Sequence, residues 1–148
     1  MLKINKDEYL NEDMIECVAE YGSKPIVRHA MRAKAEGRER EFRNSYGLNT
    51  VIVLSDGTVC LCPNKFETYM GRLDADRFVV ADPKRFAVAK AFVKEATTSP
   101  NLGQRRDVAK AKEEGRYLNF ARGKSVKWTF FTVTGRIYGT HAMKADLS

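Results

Sequence analysis

Apolar positions in the first 22 residues recur at three- and four-residue steps (Leu10, Met14, Cys17, Val18, Tyr21), a spacing that predicts a helix stopped by Gly22. A second helix is expected from Ser23, with Ser23 as its cap and Pro25 in the first turn, where a missing N–H costs little. Ile26, Val27, Ala30 and Met31 form its buried stripe. Lys24, Arg28 and Arg32, at i, i+4 and i+8, stack as a basic ridge on another face, and Gly37 ends the helix. Asp82-Pro83 reads as the cap and first residue of a third helix, lined by Phe86, Ala89, Phe92, Val93 and Ala96. Residues 97–103 read as a loop and 104–114 as a short basic helix.

Two stretches alternate differently. Residues 49–55 and 58–62 flank Asp56-Gly57, the pair favoured by a two-residue type I′ turn, and predict a β-hairpin. Residues 126–133 and 136–140 predict a second hairpin turning at Thr134-Gly135. Sliding the chain by 78 positions aligns 30–62 with 108–140 without a gap. Ala33/Ala111, Lys34/Lys112, Glu36/Glu114, Gly37/Gly115, Arg38/Arg116, Phe42/Phe120 and Gly57/Gly135 are then identical. A lone hairpin is only marginally stable. The expected fold is therefore α+β: one compact domain over 1–148, made of two internally duplicated helix–β-hairpin units (about 1–73 and 74–148). A four-stranded antiparallel sheet packed with helices would form its core.

Composition narrows the class. The 148 residues are 43% hydrophobic and 10% aromatic, enough for a core. No run approaches the roughly 18 apolar residues of a membrane span. The start turns acidic within a few residues, unlike a secretory or transit peptide, and three cysteines imply no disulfide framework, so a cytoplasmic protein is expected.

The net charge of +7 is unevenly spread. Residues 1–23 carry −4, 24–43 carry +4, 83–104 carry +3 and 105–127 carry +5. Clustered cations are the electrostatic footprint of a polyanion ligand, because neutralising phosphates releases condensed counterions. Arg122, Lys124, Lys127 and Trp128, beside Tyr117 and Phe120, interleave cations with aromatics, a pattern suited to phosphate contact and base stacking.

Other chemistry is thinly represented. Cys60 and Cys62 share a strand face with no second pair to complete a zinc site, and read as small buried hydrophobes. His29 and His141 belong to no nucleophile motif, and the carboxylate pairs Asp74/Asp76 and Glu113/Glu114 fit a loop and a helix end. Gly123-Lys124-Ser125 has the tail of a phosphate loop without its first glycine or preceding strand. No cofactor is expected.

The stretch from Arg106 through Gly115-Arg116 to Gly123-Lys124 resembles the helix–glycine–loop–glycine–basic segment of the RemA family, small bacterial regulators of extracellular-matrix genes. The first half is similar at Pro25-Ile26-Val27-Arg28, Ala33, Gly37, Tyr46-Gly47, Glu67-Thr68 and Arg72-Leu73. The resemblance implies DNA binding by a small oligomeric α/β regulator, with Lys124 and Arg85 at the family's basic positions. Ser125 departs from the family's basic pair, and Leu48 and Asn49 follow Gly47.

Together these features point to a basic regulatory protein that binds nucleic acid, DNA first. Arg28, Arg32, Arg85, Arg105, Arg106, Lys110, Arg122, Lys124, Lys127 and Trp128 are the expected contacts, mostly to phosphate. The alternative is a phage-type inhibitor or accessory module docking its basic face on an acidic protein. An enzyme acting on a small anion stands third; its mark would be a deep pocket lined by Glu67, Tyr69, Lys124 or Tyr138.

Overall fold

Ile15, Glu16, Cys17, Val18 and Ala19 are buried one after another, and that run decides the architecture. A computed structural model describes residues 1–22, 24–42, 47–82, 86–121 and 124–141. Where a helix was predicted it has β1 (Leu2–Lys3), β2 (Tyr9–Leu10), a 3-10 turn (Glu12–Met14) and β3 (Ile15–Glu20). A strand covered on both faces reads as a continuous apolar run, so its two-residue alternation disappears. The same effect hides β8. Phe86, Ala87, Val88 and Ala89 are all buried, and the predicted third helix is instead β8 (Phe86–Ala89), a 3-10 turn (Lys90–Phe92) and β9 (Val93–Thr97). Ser23 and Pro83 lie outside the described residues.

The remaining elements are α1 (Lys24–Ala35), β4 (Glu39–Glu41), β5 (Thr50–Leu54), β6 (Val59–Cys62), α2 (Phe66–Arg72), β7 (Phe78–Asp82), α3 (Leu102–Glu113), β10 (Tyr117–Asn119), β11 (Trp128–Thr132) and β12 (Ile137–Thr140). Among the described residues twelve strands form three sheets, ordered β4-β6-β5-β3-β8-β7, β10-β12-β11-β9 and β1-β2. This overturns the expected four-stranded antiparallel sheet packed with helices: the protein is mostly β. Its larger sheets are mixed, because β4 runs parallel to β6 and β10 parallel to β12.

Local chemistry explains the smaller departures. At Asp56-Gly57 the Leu54 carbonyl accepts from the Gly57 N–H, and the Leu54 N–H donates to the Thr58 carbonyl. The connection is therefore a three-residue loop with glycine at φ +94°, not a two-residue turn. In α1 Met31 is 67% exposed, and Ala33 takes its place in the buried stripe. α3 starts two residues early because Asn101 and Gln104 form a reciprocal capping box.

A shift of 78 residues carries α1 onto α3, β4 onto β10, β5 onto β11 and β6 onto β12 with coinciding bounds, and the strand orders match. The identical residues do identical work. Gly37 and Gly115 reverse the chain at φ +73° and +71°. Arg38 and Arg116 then reach across to donate to the carbonyls of Gly57 and Gly135. Phe42 and Phe120 are buried, and their N–H groups donate to the Leu61 and Gly139 carbonyls.

One face of the six-stranded sheet, with Val18, Ile52 and Cys60, packs on Phe66 and Tyr69 of α2 and on Leu2 and Leu10 of the β1–β2 hairpin. The other face packs on Ile26, Ala30 and Ala33 of α1 and on Leu118, Phe120, Phe130 and Tyr138 from the second sheet. α3 covers the far side of that second sheet through Ala111. Among the described residues no helix is long and apolar enough to cross a membrane.

Candidate nucleic-acid interface

Burying Ile26, Ala30 and Ala33 on the sheet turns the Lys24–Arg28–Arg32 ridge of α1 toward the second unit. There the helix borders a cleft of about 450 Å³, and Lys112 of α3 enters it from the opposite side. Lys112 also lines a second cleft of about 380 Å³, together with Arg105 and Lys127. The two clefts thus share a wall and carry six cations drawn from both basic stretches. Among the described residues no carboxylate lines either one.

Three of the six cations are held by uncharged groups. Arg32 Nη1 donates to the Glu114 carbonyl at 2.7 Å, and Arg105 Nε to the Pro100 carbonyl at 3.2 Å. Lys112 Nζ lies 5.1 Å from the centre of the Tyr117 ring, within cation–π range. Among the described residues none of the six is ion-paired with a carboxylate. Gly115 makes room for the arrangement: a Cβ on it would lie 1.2 Å from Arg32 Nη1.

The rest of the first cleft is uncharged, formed by His29, Tyr117 and Asn119 among others. Burial, followed by the nearby charges of Arg136 and Arg38, pulls the His29 pKa down to about 4, so the imidazole is neutral at pH 7. Its Nε2 is buried and has no hydrogen-bond partner among the described residues. Burial likewise pushes the Tyr117 hydroxyl upward. Cations at the sides and neutral polar groups between them suit a phosphate-bearing ligand with an uncharged portion.

Of the predicted contacts, Arg28 and Arg32 line the first cleft, and Arg105 and Lys127 the second. Lys110 lies elsewhere, beside Asp107 and Arg116, with Nζ 3.9 Å from the Glu114 carboxylate. Arg106 and Lys124 are exposed but line neither cleft. Trp128 is half-buried against the core, and Phe120 stacks on Phe86 with ring centres 4.3 Å apart. Arg85 and Arg122 lie outside the described residues. Sequence reasoning missed Lys112 as a contact, although its position two helical turns from Arg105 places both on one face.

The other candidate groups are buried or bonded within the fold. Cys60 and Cys62 are fully buried in β6, and burial raises the Cys60 thiol to about 12. Tyr69 and Tyr138 are also fully buried, their hydroxyls donating to the Ile4 carbonyl and the Glu16 carboxylate. Asp74 accepts from the Asp76 N–H, and Glu114 is paired with Arg116. No protein-family model matches the chain, and no curated protein matches it.

Proposed function

We propose that the protein binds nucleic acid, DNA first, with the two joined clefts as its phosphate-contacting surface. The observation that carries this reading is the convergence of Lys24, Arg28, Arg32, Arg105, Lys112 and Lys127 on linings that, among the described residues, hold no carboxylate. The similarity of residues 106–124 to the RemA family points the same way. Such contacts orient a strand and supply affinity without reading its sequence. The neutral groups of the first cleft add hydrogen bonding beside the phosphates.

Fluorescence anisotropy with labelled duplex and single-stranded DNA, repeated over a salt series, tests the proposal. Each phosphate neutralised contributes about −0.9 to the slope of log K against log salt on duplex. Six contacts then give a slope near −5, by the same relation. Absence of binding to either DNA at low salt, or binding indifferent to salt, overturns it.

A further inference from the structure

The two joined clefts are built differently. In the second, Arg105, Lys112 and Lys127 surround a wall that includes the apolar Val108 and Val126. The first has a volume of about 450 Å³, within the size range of small-ligand sites, about 300–1,000 Å³. To its four cations, Lys24, Arg28, Arg32 and Lys112, it adds an imidazole, a phenol and an amide.

Each of these neutral groups is placed for a partner that the fold does not supply. His29 is 8% exposed, and its Nε2 is without a hydrogen bond among the described residues. A buried polar atom left in that state costs free energy, which a ligand group pairing with it recovers. Asn119 Oδ1 accepts from the Ala121 N–H at 2.8 Å. That bond fixes the amide, and its NH₂ group, with no acceptor among the described residues, remains to donate. Tyr117 keeps its place because residue 139 is glycine: a Cβ there would lie 2.3 Å from the Tyr117 hydroxyl. Lys24, Arg28, Arg32 and Lys112 are all exposed, with three of them on the ridge of α1, while Tyr117 and Asn119 stand on β10. Charged and neutral recognition thus come from different elements of one cleft.

We propose that the first cleft is a site for a free nucleoside di- or triphosphate. Its phosphates lie on Lys24, Arg28, Arg32 and Lys112, and its nucleoside lies against Tyr117 and Asn119 with a polar group paired to His29 Nε2. The four cations keep the phosphate-contacting role given them above, and the proposal rests on that role. What is added is a neutral wall that reads the uncharged part of the ligand. The second cleft, with its apolar wall, takes no nucleotide.

Isothermal titration of the full chain, without divalent metal, compares ATP and GTP with inorganic tripolyphosphate. Tripolyphosphate carries at least the charge of either nucleotide, so attraction to cations alone favours it. ATP or GTP is expected to bind about fivefold or more tighter than tripolyphosphate, the low end of what one stacked base contributes. This readout requires no variant. Arg28→Glu, in the first cleft, should weaken nucleotide binding about tenfold or more, and Arg105→Glu, in the second, about threefold or less. The proposal is overturned if neither nucleotide reaches the fivefold preference, or if Arg105→Glu costs as much nucleotide affinity as Arg28→Glu. DNA binding is measured separately on the same protein. Salt-dependent DNA binding without nucleotide preference removes this site and leaves the nucleic-acid reading, whereas nucleotide preference without DNA binding does the reverse.

Discussion

Arg136 closes on Glu16 across the junction of the two units. Nε lies 2.6 Å from Oε2 and Nη2 3.0 Å from Oε1, and the carboxylate is fully buried. The Tyr138 and Thr134 hydroxyls also donate to Glu16, while Arg136 Nη2 also reaches the Leu54 and Ser55 carbonyls. The six-stranded sheet is thereby tied to the four-stranded one. Burial pushes the Tyr138 hydroxyl and the Cys17 thiol up, keeping both neutral beside that single ion pair.

Breaking this pair from one side leaves a buried, unpaired charge. Arg136→Met is expected to destabilise the fold by about 3–5 kcal/mol. Removing both charges in Glu16→Leu/Arg136→Met should restore part of that loss, because the charge no longer needs a partner. Urea unfolding of the two variants measures the difference. A double variant less stable than Arg136→Met contradicts this account.

His29 gives stability a pH dependence of defined sign. Its folded-state pKa near 4 lies below the 6.5 of a free imidazole, so the unfolded chain takes up the proton first as pH falls. Its contribution is complete above about pH 6.5 and drains away toward pH 4, by on the order of 3 kcal/mol over the window. His29→Gln, neutral throughout, should flatten that part of the pH profile in urea melts. An unchanged profile contradicts the assignment.

Gly37 and Gly115 form a matched pair for separating backbone cost from function. Both have left-handed φ, so alanine at either costs about 1–2 kcal/mol of stability. Among the described residues a Cβ at Gly37 meets nothing within 4 Å, whereas one at Gly115 displaces the Arg32 guanidinium. Thermal melts should therefore show similar losses. DNA affinity should fall for Gly115→Ala, and Gly37→Ala should bind as the unmodified protein does.

What could be read in the sequence was what depends on a few neighbouring residues. Gly37-Arg38 and Gly115-Arg116 stood out because a chain reversal and an arginine lock on the hairpin glycine use the same short motif twice. Asp56-Gly57 marked its hairpin even though the turn has one more residue than expected. β3 and β8 were read as helices because both their faces are covered, which erases the alternation that marks a strand. The cationic surface was half legible. The i, i+4 ridge of α1 survives folding intact, but Lys110 and Lys112 are distinguished only by how α3 is rotated on its sheet. That rotation follows from burying Ala111, which fixes Lys110 beside Glu114 and sends Lys112 between the clefts.

That contrast supplies the most direct measurement. Lys112→Glu and Lys110→Glu make the same change of charge two residues apart on one exposed helix, so net charge and helix propensity are matched. Anisotropy titration with DNA at fixed low salt is expected to show binding reduced at least tenfold by Lys112→Glu and about threefold or less by Lys110→Glu, since only the former puts a carboxylate into both clefts. Equal losses for the two variants, or a greater loss for Lys110→Glu, would contradict the joined clefts as the binding surface.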